Sequence, residues 1–255
     1  MRAARVFALL LPVVRAERSR RPLPSMLRRP SATNCSIEVP DTIDAAPNRS
    51  PQAVHTLMLP HVAGRALVEI GTRNGDGMAC FSRVAASAVA IELSAPYCHQ
   101  LQRRAAEQHL AVGASWQVRC ADYRWVDRLE ADVITWWQEY PHLRNMEVLL
   151  QLRKMADEGR VLHDAEAILV FDRTEPTDVH SLSILKRIEW LAWLDTVHVD
   201  ERASCLTNSL ISKQLCWRAR STFHVGGVPL RSVNESVGRV QPDPWRMAYG
   251  GGPPG

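Results

Sequence analysis

A glycine-rich segment holds the residues best suited to chemistry in this 255-residue chain. It begins at Glu69 and includes Gly71, Gly75 and Gly77. The short apolar run at residues 66–68 precedes it, and a helix-like apolar run follows it. An acid at the end of a buried strand, a tight turn and a helix N-terminus allow backbone N–H groups to converge on a polar ligand. The segment therefore predicts a cofactor site.

The spacing of the glycines indicates which cofactor the segment suits. Dinucleotide-binding loops follow Gly-x-Gly-x-x-Gly, whereas this segment follows acid-x-Gly-x-x-x-Gly-x-Gly and has no Lys-Ser/Thr pair of a P-loop. It resembles the first motif of class I S-adenosylmethionine-dependent methyltransferases, with the four defining positions at Glu69, Gly71, Gly75 and Gly77. The resemblance extends over roughly residues 51 to 225. It implies S-adenosylmethionine as the cofactor.

Two further acids follow predicted strands. An apolar run at residues 87–91 ends in Glu92, about 20 residues beyond the first glycine. An acid at this position accepts hydrogen bonds from ribose hydroxyls in nucleotide-binding sheets. A third run, at residues 115–120, leads to Asp122, where the resemblance implies a contact to the adenine amino group. We therefore predict that both acids bind the cofactor.

The remaining elements alternate as a doubly wound sheet requires. Ser94 caps a helix that carries a proline in its first turn. Strands follow at residues 131–137 and 167–171, and two late strands are predicted at residues 196–199 and 215–219. We expect an α/β fold with a mostly parallel seven-stranded sheet, helices on both faces and an antiparallel last strand.

The methyl acceptor is expected beyond the carboxyl ends of the fourth and fifth strands, because open α/β sheets bind ligands there. Gln138 follows the fourth strand, which ends in Trp136 and Trp137, and Asp172 follows the fifth. Trp136 is a candidate to face the sulfonium or a planar acceptor, Gln138 to bind the acceptor and Asp172 to act as the general base. The segment lacks the Asn/Asp-Pro-Pro-aromatic motif of amino-methylating enzymes.

Three functions are compatible with these residues. We expect a methyltransferase that acts on an unidentified small molecule or protein side chain. The alternatives are a noncatalytic cofactor-binding module of the same fold and an aminopropyl transferase-like enzyme. An aminopropyl transferase typically has a pair of aspartates at the fourth strand, where this chain has two tryptophans, Trp136 and Trp137.

The two ends of the chain differ in composition from its centre. We predict a targeting segment and disordered linker at residues 1–50, a methyltransferase-like domain at 51–233 and a disordered Gly/Pro tail at 234–255. The first 29 residues carry eight arginines and one glutamate, a net charge of +7, which leaves −3 for the rest. A slightly acidic body gives no strong signal for nucleic-acid binding.

Residues 6–14 form an apolar run too short to span a membrane but suited to a signal peptide, and the Arg-rich continuation suits an organellar transit peptide. The chain is therefore expected in an organelle or the secretory path, with the cytoplasm as the alternative.

The six cysteines form no Cys-x-x-Cys pair and no cluster with metal-ligand spacing, so no metal site is predicted. We expect most of them to be small buried residues without disulfides.

Overall fold

The computed structural model describes residues 34–43, 52–137, 143–172, 190–200, 204–208, 213–217 and 220–233. The helices are α1 (Cys35–Glu38), α2 (Gln52–Val62), α3 (Asp76–Phe81), α4 (Ala95–Val112) and α5 (Leu143–Asp157), with short 3-10 turns at Tyr123–Trp125 and Leu230–Ser232. The strands are β1 (Ala66–Ile70), β2 (Ser87–Glu92), β3 (Gln117–Cys120), β4 (Val133–Trp137), β5 (Glu166–Asp172), β6 (Trp193–Asp200), β7 (Ser204–Asn208), β8 (Lys213–Trp217) and β9 (Arg220–Pro229).

Seven of these strands form one sheet in the order β3-β2-β1-β4-β5-β9-β6. The pairs from β3 to β5 are parallel, and β9 is antiparallel to both of its neighbours. Parallel neighbours require crossover connections, and in the described ranges α3, α4 and α5 lie in them. The predicted doubly wound, mostly parallel seven-stranded sheet with an antiparallel last strand is confirmed.

Alternation along the strands produces a hydrophobic core on each face of the sheet. Val133 of β4 packs with residues of α2, α3 and α4. The next residue, Ile134, packs on the opposite face with Leu149 and Leu152 of α5. Because successive strand side chains point to opposite faces, continuous apolar strands bury both sides, as expected for a parallel sheet covered by helices.

The last strand of the sheet is not the one that the sequence suggests. Residues 215–219 were predicted as that strand, but β8 ends at Trp217 and pairs with β7 in a separate two-stranded sheet. The sheet is completed by β9, which contains Gly226 and Gly227. A Cβ atom at Gly227 would lie 2.1 Å from the indole nitrogen of Trp193. Gly227 has no side chain and therefore leaves room for Trp193 on the neighbouring strand.

Residues 34–43 lie against the domain, although the sequence places them in the predicted linker. The thiols of Cys35 and Cys80 form a disulfide that joins α1 to α3, and Arg83 forms an ion pair with Glu38 at 2.6 Å. The predicted boundary between residues 50 and 51 lies outside the described ranges, and the one after Val233 coincides with the end of the last described range.

A second disulfide joins Cys98 of α4 to Cys120 of β3. The expectation of unpaired buried cysteines is therefore wrong for four of the six. Cys35 and Cys80 are separated by 45 residues and Cys98 and Cys120 by 22, so only the packing of distant elements brings each pair together.

Candidate functional site

The glycine loop connects β1 to α3 and reverses the chain in five residues, 71–75. The backbone N–H of Gly71 donates to the carbonyl of Ile91 at 2.8 Å, which ties the loop to β2. Gly71 and Gly75 adopt φ angles of 69° and 80°, in the left-handed region where residues with a Cβ atom are strained. The turn therefore requires glycine at both positions for conformational reasons.

The three loop glycines differ in their surroundings. A Cβ atom at Gly75 would lie 2.7 Å from Leu101 Cδ2, so α4 closes on this part of the loop. A Cβ atom at Gly77 would lie 3.0 Å from Glu69 Oε1 and 3.1 Å from His55 Nε2. At Gly71 it would meet no atom within 4 Å. Gly71 therefore borders open space at the carboxyl edge of the sheet, while the other two allow close packing beneath the loop.

Glu92 ends β2 beside this loop, and only 6% of its surface is exposed. Its Oε2 accepts a hydrogen bond from the backbone N–H of Arg73 at 2.9 Å, and its Oε1 accepts one from the backbone N–H of Ser94 at 2.8 Å. Each oxygen of an ionised carboxylate has a second lone pair. The backbone therefore orients Glu92 and leaves one acceptor position on each oxygen.

Asp122 follows β3 and is held differently. It caps the 3-10 turn by accepting from the backbone N–H of Arg124 at 3.0 Å. The guanidinium of Arg124 also donates to both carboxylate oxygens. This hydrogen-bonded ion pair lowers the pKa of the Asp122 carboxyl below its ordinary value. A ligand amino group could reach Asp122 only if the exposed Arg124 side chain moved.

A buried histidine lies beneath the loop and was not anticipated from the sequence. His55 of α2 is hydrogen-bonded through Nδ1 to Gln52 Oε1 at 2.9 Å, and its ring packs edge-on against Phe81 and Trp137. Burial lowers its pKa from 6.5 to about 4, with attraction to Asp76 acting in the opposite direction. His55 is therefore neutral at physiological pH.

The residues predicted on the acceptor side occupy different environments. Trp136 is buried in the core beside α5, and its indole N–H donates to Asn145 Oδ1 at 2.8 Å. Trp137 lies on the opposite face, where it packs edge-on against Phe223. Gln138 lies outside the described residues, and of Asp172 only the backbone position at the end of β5 is described. The roles proposed for these residues stay predictions.

Two large apolar side chains at the same edge were missed. Leu93 directly follows Glu92 and is 71% exposed, and Trp125 lies three residues after Asp122 and is 80% exposed. An apolar or aromatic surface beside each acid could pack against a planar ring. Their positions shortly after the two acids were visible in the sequence, but their exposure was not.

Across the described ranges, no group of three His, Cys, Asp or Glu side chains could hold a metal ion. Among the helices of those ranges, none combines the length and apolar character that crossing a bilayer requires.

No family model matches the chain. No curated protein matches it either. Many solved structures are similar to the chain, among them the following three, all at low sequence identity. An RNA methyltransferase from Salinibacter ruber in complex with S-adenosyl-L-homocysteine has 17% identity and a TM-score of 0.43, with 73% of this chain and 96% of that chain covered. A precorrin methyltransferase from Geobacter metallireducens has 12% identity and a TM-score of 0.48, with 70% and 90% covered. A tRNA methyltransferase from Aquifex aeolicus has 16% identity and a TM-score of 0.44, with 68% and 66% covered.

The observed strand order identifies the fold. The sheet is mostly parallel, β9 inserts antiparallel between β5 and β6, and β1, whose next-to-last residue is Glu69, leads directly into the glycine loop. The chain has the Rossmann-like α/β fold of the class I S-adenosylmethionine-dependent methyltransferases that its first motif resembles.

Proposed function

We propose that this protein is an S-adenosylmethionine-dependent methyltransferase. The observation that carries the proposal is the combination of open space at Gly71 with the oriented, buried carboxylate of Glu92 on the adjacent strand. A cofactor with a ribose and a charged chain needs both features, namely a close approach to backbone and an acceptor for two hydroxyls.

The described residues fit this cofactor in three places. The two free acceptor positions of Glu92 suit the two ribose hydroxyls. Asp122 is the candidate for the adenine amino group, after displacement of Arg124. Glu69, Gly71, Gly75 and Gly77 form the loop that the resemblance assigns to the remainder of the cofactor.

S-Adenosylmethionine supplies an electrophilic methyl group together with its own leaving group, so the protein needs no nucleophilic residue. The protein contributes orientation, which can lower the barrier of a displacement by about 7 kcal/mol or more. If the acceptor is protonated at neutral pH, a general base must also lie within hydrogen-bond reach. We propose Asp172 for that role and Gln138 for binding of the acceptor.

Calorimetric titration with S-adenosylmethionine and S-adenosylhomocysteine tests the cofactor assignment. A charge-assisted hydrogen bond contributes roughly 1.5–3 kcal/mol, so we expect Glu92→Gln to weaken both ligands about tenfold or more. Glu107→Gln, at an exposed position on α4, is the matched control. Unchanged affinity in Glu92→Gln, or no binding by the unmodified protein, would contradict the assignment.

A 2′-deoxyribose analogue separates ribose binding from damage to the loop. Glu92 also holds the backbone of Arg73 and Ser94, so its substitution could weaken binding indirectly. If Glu92 contacts the sugar, the analogue loses affinity for the unmodified protein and loses little further affinity for the variant. If the analogue loses the same affinity in both proteins, another residue binds the sugar.

Turnover assays distinguish the catalytic proposal from its alternatives. We expect methyl transfer to a member of a panel of small molecules, peptides and RNA, and we expect Gln138→Ala and Asp172→Asn to lower turnover with little change in cofactor affinity. Tight cofactor binding without turnover on any acceptor would favour a noncatalytic binding module. Preference for the decarboxylated cofactor would favour aminopropyl transfer.

We also propose that the chain matures in an oxidising compartment and that residues 1–29 direct it there. The two disulfides support this proposal, because disulfides persist in oxidising compartments and are rare in the cytosol. We expect a fluorescent protein fused after residue 33 to leave the cytosol. Cytosolic fluorescence would contradict the proposal. So would free thiols at Cys35 and Cys98 in protein whose thiols are alkylated as the cells are lysed.

A further inference from the structure

A buried ion pair lies directly behind the glycine loop. Asp76 is the first residue of α3, and its side chain has no exposed surface. Arg104 of α4 reaches it with Nη1 at 2.7 Å from Asp76 Oδ1, and the arginine side chain is only 14% exposed. Because Arg104 and Asp76 are 28 residues apart, only the tertiary structure brings them together.

The same guanidinium nitrogen holds a second point of the loop. Arg104 Nη1 also donates to the backbone carbonyl of Asn74 at 2.6 Å. Asn74 and Asp76 flank Gly75, the residue with φ of 80°. One arginine therefore fixes the chain on both sides of the left-handed turn.

Two other groups support this arrangement. Leu101 lies one helical turn before Arg104 on the same face of α4, and its Cδ2 would be 2.7 Å from a Cβ atom at Gly75. On the opposite side, the backbone N–H of Ile43 donates to both oxygens of Asp76 at 3.2 and 3.1 Å. Asp76 is thus held by α4 and by the amino-terminal segment at once.

We propose that Arg104 is a positioning residue for cofactor binding. By holding Asn74 and Asp76, it keeps the glycine loop in its binding conformation before the cofactor arrives, which reduces the entropy lost on binding. The inference rests on the proposed function for the identity of the ligand. The holding of the loop itself is independent of that identity.

The test compares Arg104→Gln with Arg103→Gln. Arg103 is the adjacent residue on α4 and is exposed, so it is a matched control. Because Arg104→Gln leaves the carboxylate of Asp76 buried without its cation, the neutral double variant D76N/R104Q is measured beside it. Arg104→Lys is the conservative variant, since an ammonium is a point charge without the planar fork of arginine.

Two readouts are taken on each protein, namely amide hydrogen exchange and calorimetric affinity for S-adenosylhomocysteine. We expect faster exchange in residues 71–78 for Arg104→Gln and D76N/R104Q, with β5 unchanged. We expect the affinity of both variants to fall about tenfold or more, with an intermediate loss in Arg104→Lys and none in Arg103→Gln.

Each other outcome has a defined meaning. Unchanged exchange in residues 71–78 of the double variant overturns the positioning role, whatever the affinity. A lower thermal midpoint with unchanged affinity overturns it as well, because that result indicates a structural role alone. Faster loop exchange in the variants, combined with no binding by the unmodified protein, supports the holding of the loop and rejects the proposed function.

Discussion

Glu92 at the end of β2 and Asp122 after β3 lie at the same edge of the sheet but are held by different donors. Glu92 is buried and oriented by the backbone N–H groups of Arg73 and Ser94. Asp122 is oriented mainly by the side chain of Arg124, which is more than half exposed. Backbone donors are fixed by the fold, whereas an exposed side chain can rotate away. Glu92 is therefore already oriented by the fold, whereas a ligand that binds Asp122 would have to displace Arg124.

Among the described residues, one disulfide lies near the glycine loop beside Glu92 and the other near Asp122. Cys35–Cys80 fastens α1 to the helix after the glycine loop, and Cys98–Cys120 fastens α4 to β3. From their loop lengths, replacing each pair by serines should lower the free energy of unfolding by about 4 and about 3 kcal/mol, respectively. Urea denaturation of the two double-serine variants measures the difference. Equal midpoints with and without reductant in the unmodified protein would show that neither disulfide forms.

Buried His55, which lies beneath the glycine loop, makes the stability of the folded protein depend on pH. Its pKa in the folded protein is about 4, below the value of 6.5 expected in the unfolded chain. The unfolded state therefore takes up the proton first, so stability is full above pH 6.5 and falls as the pH is lowered to about 4. The loss reaches about 3 kcal/mol.

Urea denaturation at several pH values tests this dependence. In His55→Gln, the free energy of unfolding should no longer show the decrease between pH 6.5 and 4 that His55 causes. His99→Gln, at an exposed position on α4, is the control and should retain it. If the free energy of unfolding of His55→Gln falls with pH as steeply as that of the unmodified protein, other groups cause the acid sensitivity.

Gly71 offers the sharpest test of the cofactor loop, because the chain contains a matched glycine elsewhere. Gly71 and Gly113 share a φ of 69°, and a Cβ atom at either would meet nothing within 4 Å. Valine at either position should therefore cost a similar 1–2 kcal/mol of stability, a rough value for left-handed strain. We expect only Gly71→Val to abolish cofactor binding, with at least about a hundredfold loss by calorimetry. Equal binding by both variants would place the cofactor away from Gly71.

Substitution of Arg124 has the smallest expected effect. It tests most directly whether Asp122 is held less firmly than Glu92. Arg124→Ala should raise the pKa of Asp122 toward its ordinary value, because the hydrogen-bonded cation is lost. It should also strengthen S-adenosylhomocysteine binding roughly twofold to fivefold, since an exposed ion pair no longer has to be broken. An NMR titration and calorimetry measure the two effects. Weaker binding would instead indicate that Arg124 contacts the ligand itself.

Much of this architecture was readable from the sequence because it is encoded locally. Apolar runs that end in Glu69 and Glu92 predicted β1 and β2, and the glycine spacing predicted the loop between them. The proline after Ser94 predicted the start of α4. Each signal lies within a few residues of the element it specifies, so periodicity and capping preferences were sufficient.

Only the tertiary structure decided which distant groups meet behind the loop. Arg104 reaches Asp76 across 28 residues and Asn74 across 30. Gly227 makes room for the Trp193 side chain on the neighbouring strand. The sheet is completed by β9 and not by residues 215–219. Such contacts depend on how helices and strands pack, and no local pattern distinguishes Arg104 from its exposed neighbour Arg103. The sequence by itself predicted the five parallel strands and the acids at the edge of the sheet, and the packing determined the last strand and how firmly each acid is held.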